Sequence, residues 1–268
     1  MPFDRDLGLY FTDEGEGQPV ILVHGFALSH ELWSEQRSLA EEFRLITYDV
    51  RGCGASSAPT DGYSVPDLAS ELVGLMDRLE LRRAHLVGHS RGGSTILELA
   101  LRAPERVSSL VFISSTLGGF PYSDEFLDCV RASSATAKQA GSEDAIECWL
   151  RSAMFAHTRA RFPLVFARVA EMVRGYSGAD WLDTTRYPGP PVPHMERLAE
   201  VQSPAFVLSG QDDLHDFVEI ANMLTWWIQG ARHKSMLGVG HFPMLENPDE
   251  TNLYVRGFLR TVAAEKEI

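Results

Sequence analysis

Cysteine is scarce in this sequence. The 268 residues contain three cysteines, Cys53, Cys129 and Cys148, without the spacing of a metal site. A small, odd number of cysteines does not suggest a disulfide framework and fits a reducing compartment. The N-terminal sequence also lacks the charged and then apolar pattern of a secretory signal. We therefore expect a cytoplasmic protein without structural disulfides.

Long apolar runs and an excess of positive charge are absent as well. No run approaches the roughly 20 residues that a transmembrane helix requires. The 37 acidic residues outnumber the 24 basic ones and give a net charge of −13. This balance argues against nucleic acid or an anionic membrane as a partner. The apolar fraction of 44% and the charged fraction of 23% are typical of a globular protein with an ample core.

A short segment in the first half of the chain carries the clearest chemical signal. Residues Gly88 to Gly92 read Gly-His-Ser-Arg-Gly and separate an apolar run, Ala84 to Val87, from a helical pattern at Ile96 to Leu101. A sharp turn from strand to helix crowds the backbone, so glycines are needed on both sides of the serine. Such a turn would raise the hydroxyl of Ser90 above the strand, at the positive end of the helix. The pattern predicts that Ser90 is a nucleophile.

Strand and helix patterns alternate through most of the chain. This alternation predicts a mostly parallel sheet with helices on both faces. In such sheets the ligand site lies beyond the carboxyl ends of the strands, where His24 and Ser90 are both found. The predicted strands are Leu7 to Phe11, Val20 to Val23, Arg44 to Tyr48, Ala84 to Val87, Val107 to Ile113, Ala205 to Leu208 and His233 to Leu237.

The alternation stops between residues 116 and 199, where helical stretches rich in aromatic residues show no clear strand. We expect this segment to pack on the open end of the sheet as a helical cap. Residues 1–115 and 200–268 would form the core of the same structural domain. The aromatic residues of the cap, such as Trp149 and Phe155, either line the site or join the cap to the core.

A serine nucleophile needs an adjacent base, supplied by a loop at the same end of the sheet. Of the nine histidines, His241 follows Gly238 and Gly240 in the loop after the last predicted strand. Backbone can approach the site closely there, so His241 is the predicted base. His24 and His89 are expected to line the site or to bond to backbone.

The base in turn needs an acid that holds one of its tautomers. Asp213 follows the strand that ends at Leu208, so it is the predicted acid, with Asp212 and Asp216 as rivals. Together with His215 these aspartates could be mistaken for a metal site. No further ligands stand at a plausible spacing, so we expect no metal.

A negatively charged tetrahedral intermediate needs hydrogen-bond donors that already point at its oxygen. The backbone N–H groups of Phe26 and Arg91 are the predicted donors, since one follows His24 and the other begins the helix after Ser90. A donor of this kind is typically worth about 3–4 kcal/mol in the transition state.

These pieces together resemble the α/β-hydrolase superfamily, in its capped, single-domain, esterase-like branch. The resemblance implies the α/β-hydrolase fold, with a helical cap inserted after the sixth strand. It also implies a Ser-His-Asp hydrolase that acts on a small-molecule substrate through an acyl-enzyme, without a cofactor. A serine at the turn argues against the dehalogenase and epoxide-hydrolase relatives, which place an aspartate there. The matching segments are His24 to Phe26, Asp49 to Ser56, Gly88 to Gly93, Gly210 to Asp213 and Gly240 to Glu246.

Arg91 departs from the family pattern, which usually has Met, Leu or Gln at this position. A cation at a helix N-terminus is unfavourable by about 0.3–1 kcal/mol. Either a carboxylate on the substrate or an acidic partner within the protein would compensate it.

Three functions remain compatible with these features. The aromatic cap favours hydrolysis of small, largely apolar carboxylic esters or lactones. Arg91 leaves open the hydrolysis of a carbon–carbon bond in a carboxylate-bearing diketone or dienoate. A third possibility is a hydrolase-like ligand sensor or regulatory binding protein. The oligomeric state stays open between monomer and homodimer. The predicted substrate-binding residues are Phe26, His89, Trp149, Phe155 and Phe242.

Overall fold

A mixed β-sheet forms the centre of the protein, seen here in a computed structural model that describes residues 3–183 and 192–264. Its eight strands pair in the order β1-β2-β4-β3-β5-β6-β7-β8. The strand β2 pairs antiparallel with both of its neighbours, and every other pairing between the described strands is parallel. The mostly parallel sheet expected from the sequence is therefore confirmed. The strands are β1 (Phe3–Asp4), β2 (Leu9–Glu14), β3 (Pro19–Val23), β4 (Arg44–Tyr48), β5 (Ala84–His89), β6 (Val107–Ile113), β7 (Ala205–Gly210) and β8 (Arg232–Met236).

Apolar clusters cover both faces of this sheet. In β3, Val20 and Leu22 belong to one cluster, whereas Ile21 and Val23 belong to the other. The pleat of a strand turns successive side chains to opposite faces, so a continuous apolar run is what two buried faces require. All four side chains are fully buried.

Helices pack on the two faces and at one end of the sheet. None of the helices that the structure describes combines the length and the apolar character that crossing a bilayer needs. Segments of 3-10 helix occupy His30–Glu41, Pro104–Arg106, Ala153–Phe155 and His194–Glu200. The α-helices are α1 (Val65–Arg78), α2 (Arg91–Arg102), α3 (Asp124–Ala140), α4 (Ser142–Arg151), α5 (Ala156–Arg161), α6 (Pro163–Arg174), α7 (Ala179–Leu182), α8 (His215–Trp227), α9 (Pro243–Glu246) and α10 (Pro248–Ala264).

Several segments differ from the sequence prediction, two of them near the N-terminal end of the sheet. The first predicted strand, Leu7 to Phe11, is shifted and runs from Leu9 to Glu14 because residues 11–14 pair antiparallel with β4. The segment His30–Glu41, whose apolar residues recur at helical spacing, forms 3-10 turns and not an α-helix. Its apolar spacing still serves burial, since Leu32, Trp33 and Leu39 all lie in the core.

Helices α3 to α7 all lie between β6 and β7, so the helical insertion after the sixth strand is confirmed. Within residues 116–183 and 192–199 the structure describes no strand. The remaining residues of the predicted cap, 184–191, lie outside the described residues. The division into a core of residues 1–115 and 200–268 and a cap of residues 116–199 stays a prediction.

Candidate active site

Ser90 stands at the junction between β5 and α2 in a strained backbone conformation. Its φ of 52° and ψ of −119° are values that a residue with a side chain rarely adopts. The flanking glycines make the turn possible, because a Cβ on Gly88 would lie 2.5 Å from the carbonyl oxygen of Gly92. A Cβ on Gly92 would lie 2.2 Å from the carbonyl oxygen of Val23. The pattern around Ser90 therefore follows from backbone crowding.

Backbone hydrogen bonds hold this turn against the neighbouring strand. The N–H of Ser90 donates to the carbonyl of Ile113 over 3.0 Å, and its own carbonyl accepts from the N–H of Gly93 over 2.9 Å. The Ser90 side chain reaches the cavity described below. The strain at Ser90 is thus offset by hydrogen bonds to β6 and α2.

His241 and Asp213 form a buried pair between two loops at the same end of the sheet. The Nδ1 atom of His241 lies 2.9 Å from Oδ2 and 3.1 Å from Oδ1 of Asp213. The N–H of Leu214 also donates to Asp213 Oδ1, over 2.8 Å, and orients the carboxylate. A carboxylate at Nδ1 selects the tautomer that carries its proton there, so the lone pair of a neutral His241 ring lies on Nε2.

The two rival aspartates are placed elsewhere. Asp216 accepts hydrogen bonds of 2.6 Å from both the N–H and the hydroxyl of Ser123. Asp212 is exposed. Only Asp213, of the three candidates, contacts His241.

His89, which precedes Ser90 in the chain, contacts His241. The ring of His89 lies 4.8 Å from the ring of His241, and its Nε2 is 2.9 Å from the carbonyl oxygen of His241. In the described part of the chain no hydrogen bond joins the Ser90 hydroxyl to His241. Such bonds are often long in free enzymes and shorten in the substrate complex. Burial holds the pKa of His89 well below its ordinary value, so this ring stays neutral.

His24 bonds to backbone on both sides of its ring. Its Nδ1 donates to the carbonyl of Gly25 over 2.8 Å, and its Nε2 accepts from the N–H of Val50 over 2.9 Å. Burial lowers its pKa to about 4 despite the nearby Asp49 carboxylate. His24 therefore stabilises the loop that carries Phe26. Of the two roles expected from the sequence, this is the one in which His24 bonds to backbone.

The predicted backbone donors, the N–H groups of Phe26 and Arg91, are uncommitted. Within residues 3–183 and 192–264 neither of them donates to another protein group. Arg91 is the first residue of α2, where N–H groups have no partner inside the helix. Both residues line the cavity beside Ser90. They meet the basic requirement for donors to a negatively charged oxygen.

A cavity of about 540 Å³ lies between Ser90 and the inserted helices. Of the five residues predicted to bind a substrate, Phe26 and Trp149 line it. His89, Phe155 and Phe242 do not, because they pack behind the lining. The ring of Phe155 meets Trp149 edge-on at 5.8 Å and stacks on Phe242 at 5.9 Å. The role of His89, Phe155 and Phe242 in substrate binding stays a prediction.

Several lining residues escaped the sequence analysis. They come from the loop that follows β6 and from helices α3 and α7. The rule that sites lie beyond the carboxyl ends of parallel strands could have drawn attention to the first group. Aromatic content alone could not separate Trp181, which lines the cavity, from Phe155, which does not. The missed residues include Thr116, Leu117, Gly118, Gly119, Phe120, Phe126, Asp180 and Trp181.

Arg91 finds its counter-charge inside the protein. Its Nη1 forms an ion pair with Oδ2 of Asp180, which belongs to α7 of the insertion. The guanidinium also lies over the ring of Phe26, with Cζ 4.8 Å from the ring centre. Burial disfavours the charged guanidinium, yet Asp180 holds the pKa of Arg91 above its ordinary value. Of the two compensations open from the sequence, the structure contains the acidic protein partner.

Comparison with known proteins agrees with the observed fold. The sequence profile of the alpha/beta hydrolase fold matches residues 18–248. The chain belongs to the α/β-hydrolase family. Sequence identity with individual members of this family is modest, and the first curated relatives are matched over only 37% to 42% of their own length.

Three relatives illustrate the range of similarity and of described activities within the family. A 2-hydroxymuconate semialdehyde hydrolase from Pseudomonas sp. (strain CF600) is 39% identical over 123 residues, which are 44% of this chain and 43% of that protein. The structure of a thermophilic esterase from Thermogutta terrifontis has a TM-score of 0.81 and 27% identity, covering 95% of this chain and 93% of that one. The structure of Est816, described as an N-acyl homoserine lactone degrading enzyme, has a TM-score of 0.78 and 28% identity, covering 93% and 96%.

Proposed function

We propose that this protein is a serine hydrolase of small, largely apolar carboxylic esters or lactones. One observation carries the proposal: the Asp213 carboxylate lies 2.9 Å from Nδ1 of a buried His241. A histidine oriented in this way has its basic nitrogen free to accept the proton of a serine. Ser90, on the strained turn next to His89, is the serine that this base would serve.

The proposed reaction proceeds in two stages. The Ser90 oxygen attacks the carbonyl carbon while its proton passes to Nε2 of His241, and Asp213 stabilises the imidazolium. The N–H groups of Phe26 and Arg91 hold the resulting oxyanion. Return of the proton to the alcohol oxygen releases the alcohol and leaves an acyl-enzyme. Water, deprotonated by His241, then attacks the acyl group and releases the acid, and the proton returns to Ser90.

The substrate class is inferred from the cavity and from the relatives. A volume of about 540 Å³ is of the size that holds a small molecule. The aromatic side chains of Phe26, Trp149 and Trp181 favour apolar groups. Two structural relatives support this choice, since one is described as an esterase and the other as an N-acyl homoserine lactone degrading enzyme.

The test is a substrate panel run with active-site variants. We expect turnover of p-nitrophenyl esters or of lactones, and labelling of Ser90 by a fluorophosphonate. Ser90→Ala and His241→Ala should each lower kcat/KM by about a thousandfold or more. Exposed His215 offers a matched control, since His215→Ala should leave kcat/KM within about twofold. Ester hydrolysis that survives Ser90→Ala would refute the proposal.

The two alternatives make different predictions in the same panel. Carbon–carbon hydrolysis was suggested by Arg91 as a partner for a substrate carboxylate, and that guanidinium is already paired with Asp180. Rapid turnover of a dienoate or diketone acid with slow ester hydrolysis would favour that alternative. A ligand sensor would bind tightly with negligible turnover, so fast multiple turnover without a partner would exclude it.

A further inference from the structure

Two opposite charges stand inside an otherwise uncharged cavity. Among the residues that line it in the described part of the chain, Arg91 and Asp180 are the only charged ones. Their side chains are 16% and 24% exposed, so water screens both of them only weakly. The way these two charges balance therefore decides whether a bound ligand meets a charged or a neutral cavity wall.

Aromatic packing fixes the position of both partners. The ring of Phe26, under the Arg91 guanidinium, lies 5.2 Å from Tyr176 and 5.4 Å from Trp181. The N–H of Asp180 donates to the hydroxyl of Tyr176 over 3.2 Å. Asp180 thus sits on a short helix beside Trp181, and both Trp181 and the nearby Tyr176 contact the ring beneath its partner. The pair is a built feature of the site and not an exposed surface contact.

An unpaired Arg91 would make this cavity a receptor for carboxylates. The cation stands at the first residue of α2, where the helix dipole adds further positive potential. Guanidinium groups bind carboxylates strongly when water is largely excluded. Asp180 occupies that position and cancels the charge. A ligand carboxylate entering beside the pair would meet the like charge of Asp180.

We propose that Asp180 is a specificity-determining residue, which neutralises Arg91 and so makes the cavity reject ligands that carry a carboxylate. The inference rests on the proposed function in one respect, since it assumes that this cavity is where the substrate binds. It adds the charge class of the substrate, which would be a neutral ester or lactone rather than a half-ester of a dicarboxylic acid.

The test compares two ligands of similar shape and different charge. Phenylacetate and phenylacetamide are titrated by calorimetry, near neutral pH, against the natural protein and against Asp180→Asn. The substitution should increase the affinity for phenylacetate by about tenfold or more, since it frees a weakly screened guanidinium. The affinity for phenylacetamide should change by no more than about twofold, which also reports that the cavity keeps its shape.

Three further variants identify the source of the change. Asp180→Glu keeps the charge and should continue to reject phenylacetate. Adding Arg91→Gln to Asp180→Asn should abolish the gain, because the freed cation is then removed. Asp124, in α3, has a side chain that is 91% exposed. Asp124→Asn removes the same charge from the insertion surface and should leave phenylacetate binding unchanged.

An affinity for phenylacetate that does not rise in Asp180→Asn, including no detectable binding, would overturn the inference. So would an equal gain for both ligands, or a gain that survives Arg91→Gln. Failure here is distinguishable from failure of the proposed function. If esters are hydrolysed through Ser90 while these affinities stay unchanged, only the inference fails; if the affinities change without hydrolysis, only the proposed function fails.

Discussion

Replacing Asp213 with asparagine tests how its carboxylate orients His241. The amide of Asp213→Asn would offer an N–H to His241 and favour the opposite tautomer. We therefore expect the kcat for ester hydrolysis to fall by about 10³- to 10⁴-fold. The control is Asp212→Asn at the exposed neighbour, where kcat should stay within about twofold. Steady-state kinetics of both variants test this prediction. An equal loss of kcat in the two variants would contradict the role of Asp213 as the acid that orients His241.

The glycines of the turn at Ser90 allow a prediction about stability. A Cβ on Gly92 would lie 2.2 Å from the backbone oxygen of Val23, so Gly92→Ala forces the turn apart. Overpacking of this kind typically costs about 1–3 kcal/mol or more. Gly257, inside α10, has open space at its Cβ, and Gly257→Ala should stabilise the fold by about 0.5–1 kcal/mol. Urea unfolding of the two variants should give opposite signs, and a neutral Gly92→Ala would contradict this reading of the turn.

The residues of the site differ in how far the sequence could reveal them. Ser90, Asp213 and His241 each follow a strand that can be recognised locally, and the pairing of the last two was predicted. The charge of Arg91 indicated that an acidic group lies beside it, but the sequence could not show which group this is. Asp180 lies 89 positions away on a four-residue helix, and no periodicity connects the two.

At the scale of elements, the limits of two buried strands in the sheet were predicted best. The strands Arg44–Tyr48 and Val107–Ile113 match their predicted limits. The short first strand, Phe3–Asp4, was missed, since two residues carry no pattern. The segment Leu9–Glu14 extends into charged residues because β4 supplies hydrogen bonds that the sequence alone does not show.

Helix α5 of the insertion is tied to the loop that carries His241. The hydroxyl of the buried Thr158 donates to Glu246 Oε1 over 2.6 Å, and Glu246 Oε2 accepts from the N–H of Gly240. Burial raises the pKa of Glu246, while Thr158 and Gly240 oppose that rise. Glu246 thus bridges α5 and the residue before His241.

Thr158→Val should therefore destabilise the protein by about 1–3 kcal/mol, because it takes a donor from a buried carboxylate without changing the side-chain volume greatly. Thr158→Ser keeps the hydroxyl and serves as the control, with a smaller loss. The free energy of unfolding, measured near neutral pH, checks the difference. A Thr158→Ser variant no more stable than Thr158→Val would show that packing and not the hydrogen bond is at stake.

For the molecule as a whole, buried neutral histidines imply sensitivity to acid. Burial lowers the pKa of His24 from 6.5 to about 4. Between these pH values His24 is therefore protonated in the unfolded chain and neutral in the folded protein. This contribution to stability is complete above pH 6.5 and is lost as the pH falls towards about 4. The shift corresponds to about 3 kcal/mol.

His24→Gln keeps an acceptor for the N–H of Val50 and cannot be protonated. Its free energy of unfolding should fall less steeply than that of the natural protein across the same pH range. Urea unfolding at several pH values measures both slopes. Parallel slopes would mean that His24 is not the group responsible.

Arg91 and Asp180 belong to two parts of the chain that have different structural roles. Arg91 begins the helix that the turn at Ser90 holds in place, whereas Asp180 belongs to an insertion that contributes no strand within its described residues. If the proposed role of Asp180 is correct, one substitution in the insertion would change which ligands bind, while the turn that carries Ser90 keeps its geometry. Substrate selectivity could then change, in evolution or by engineering, without a change in the reacting groups.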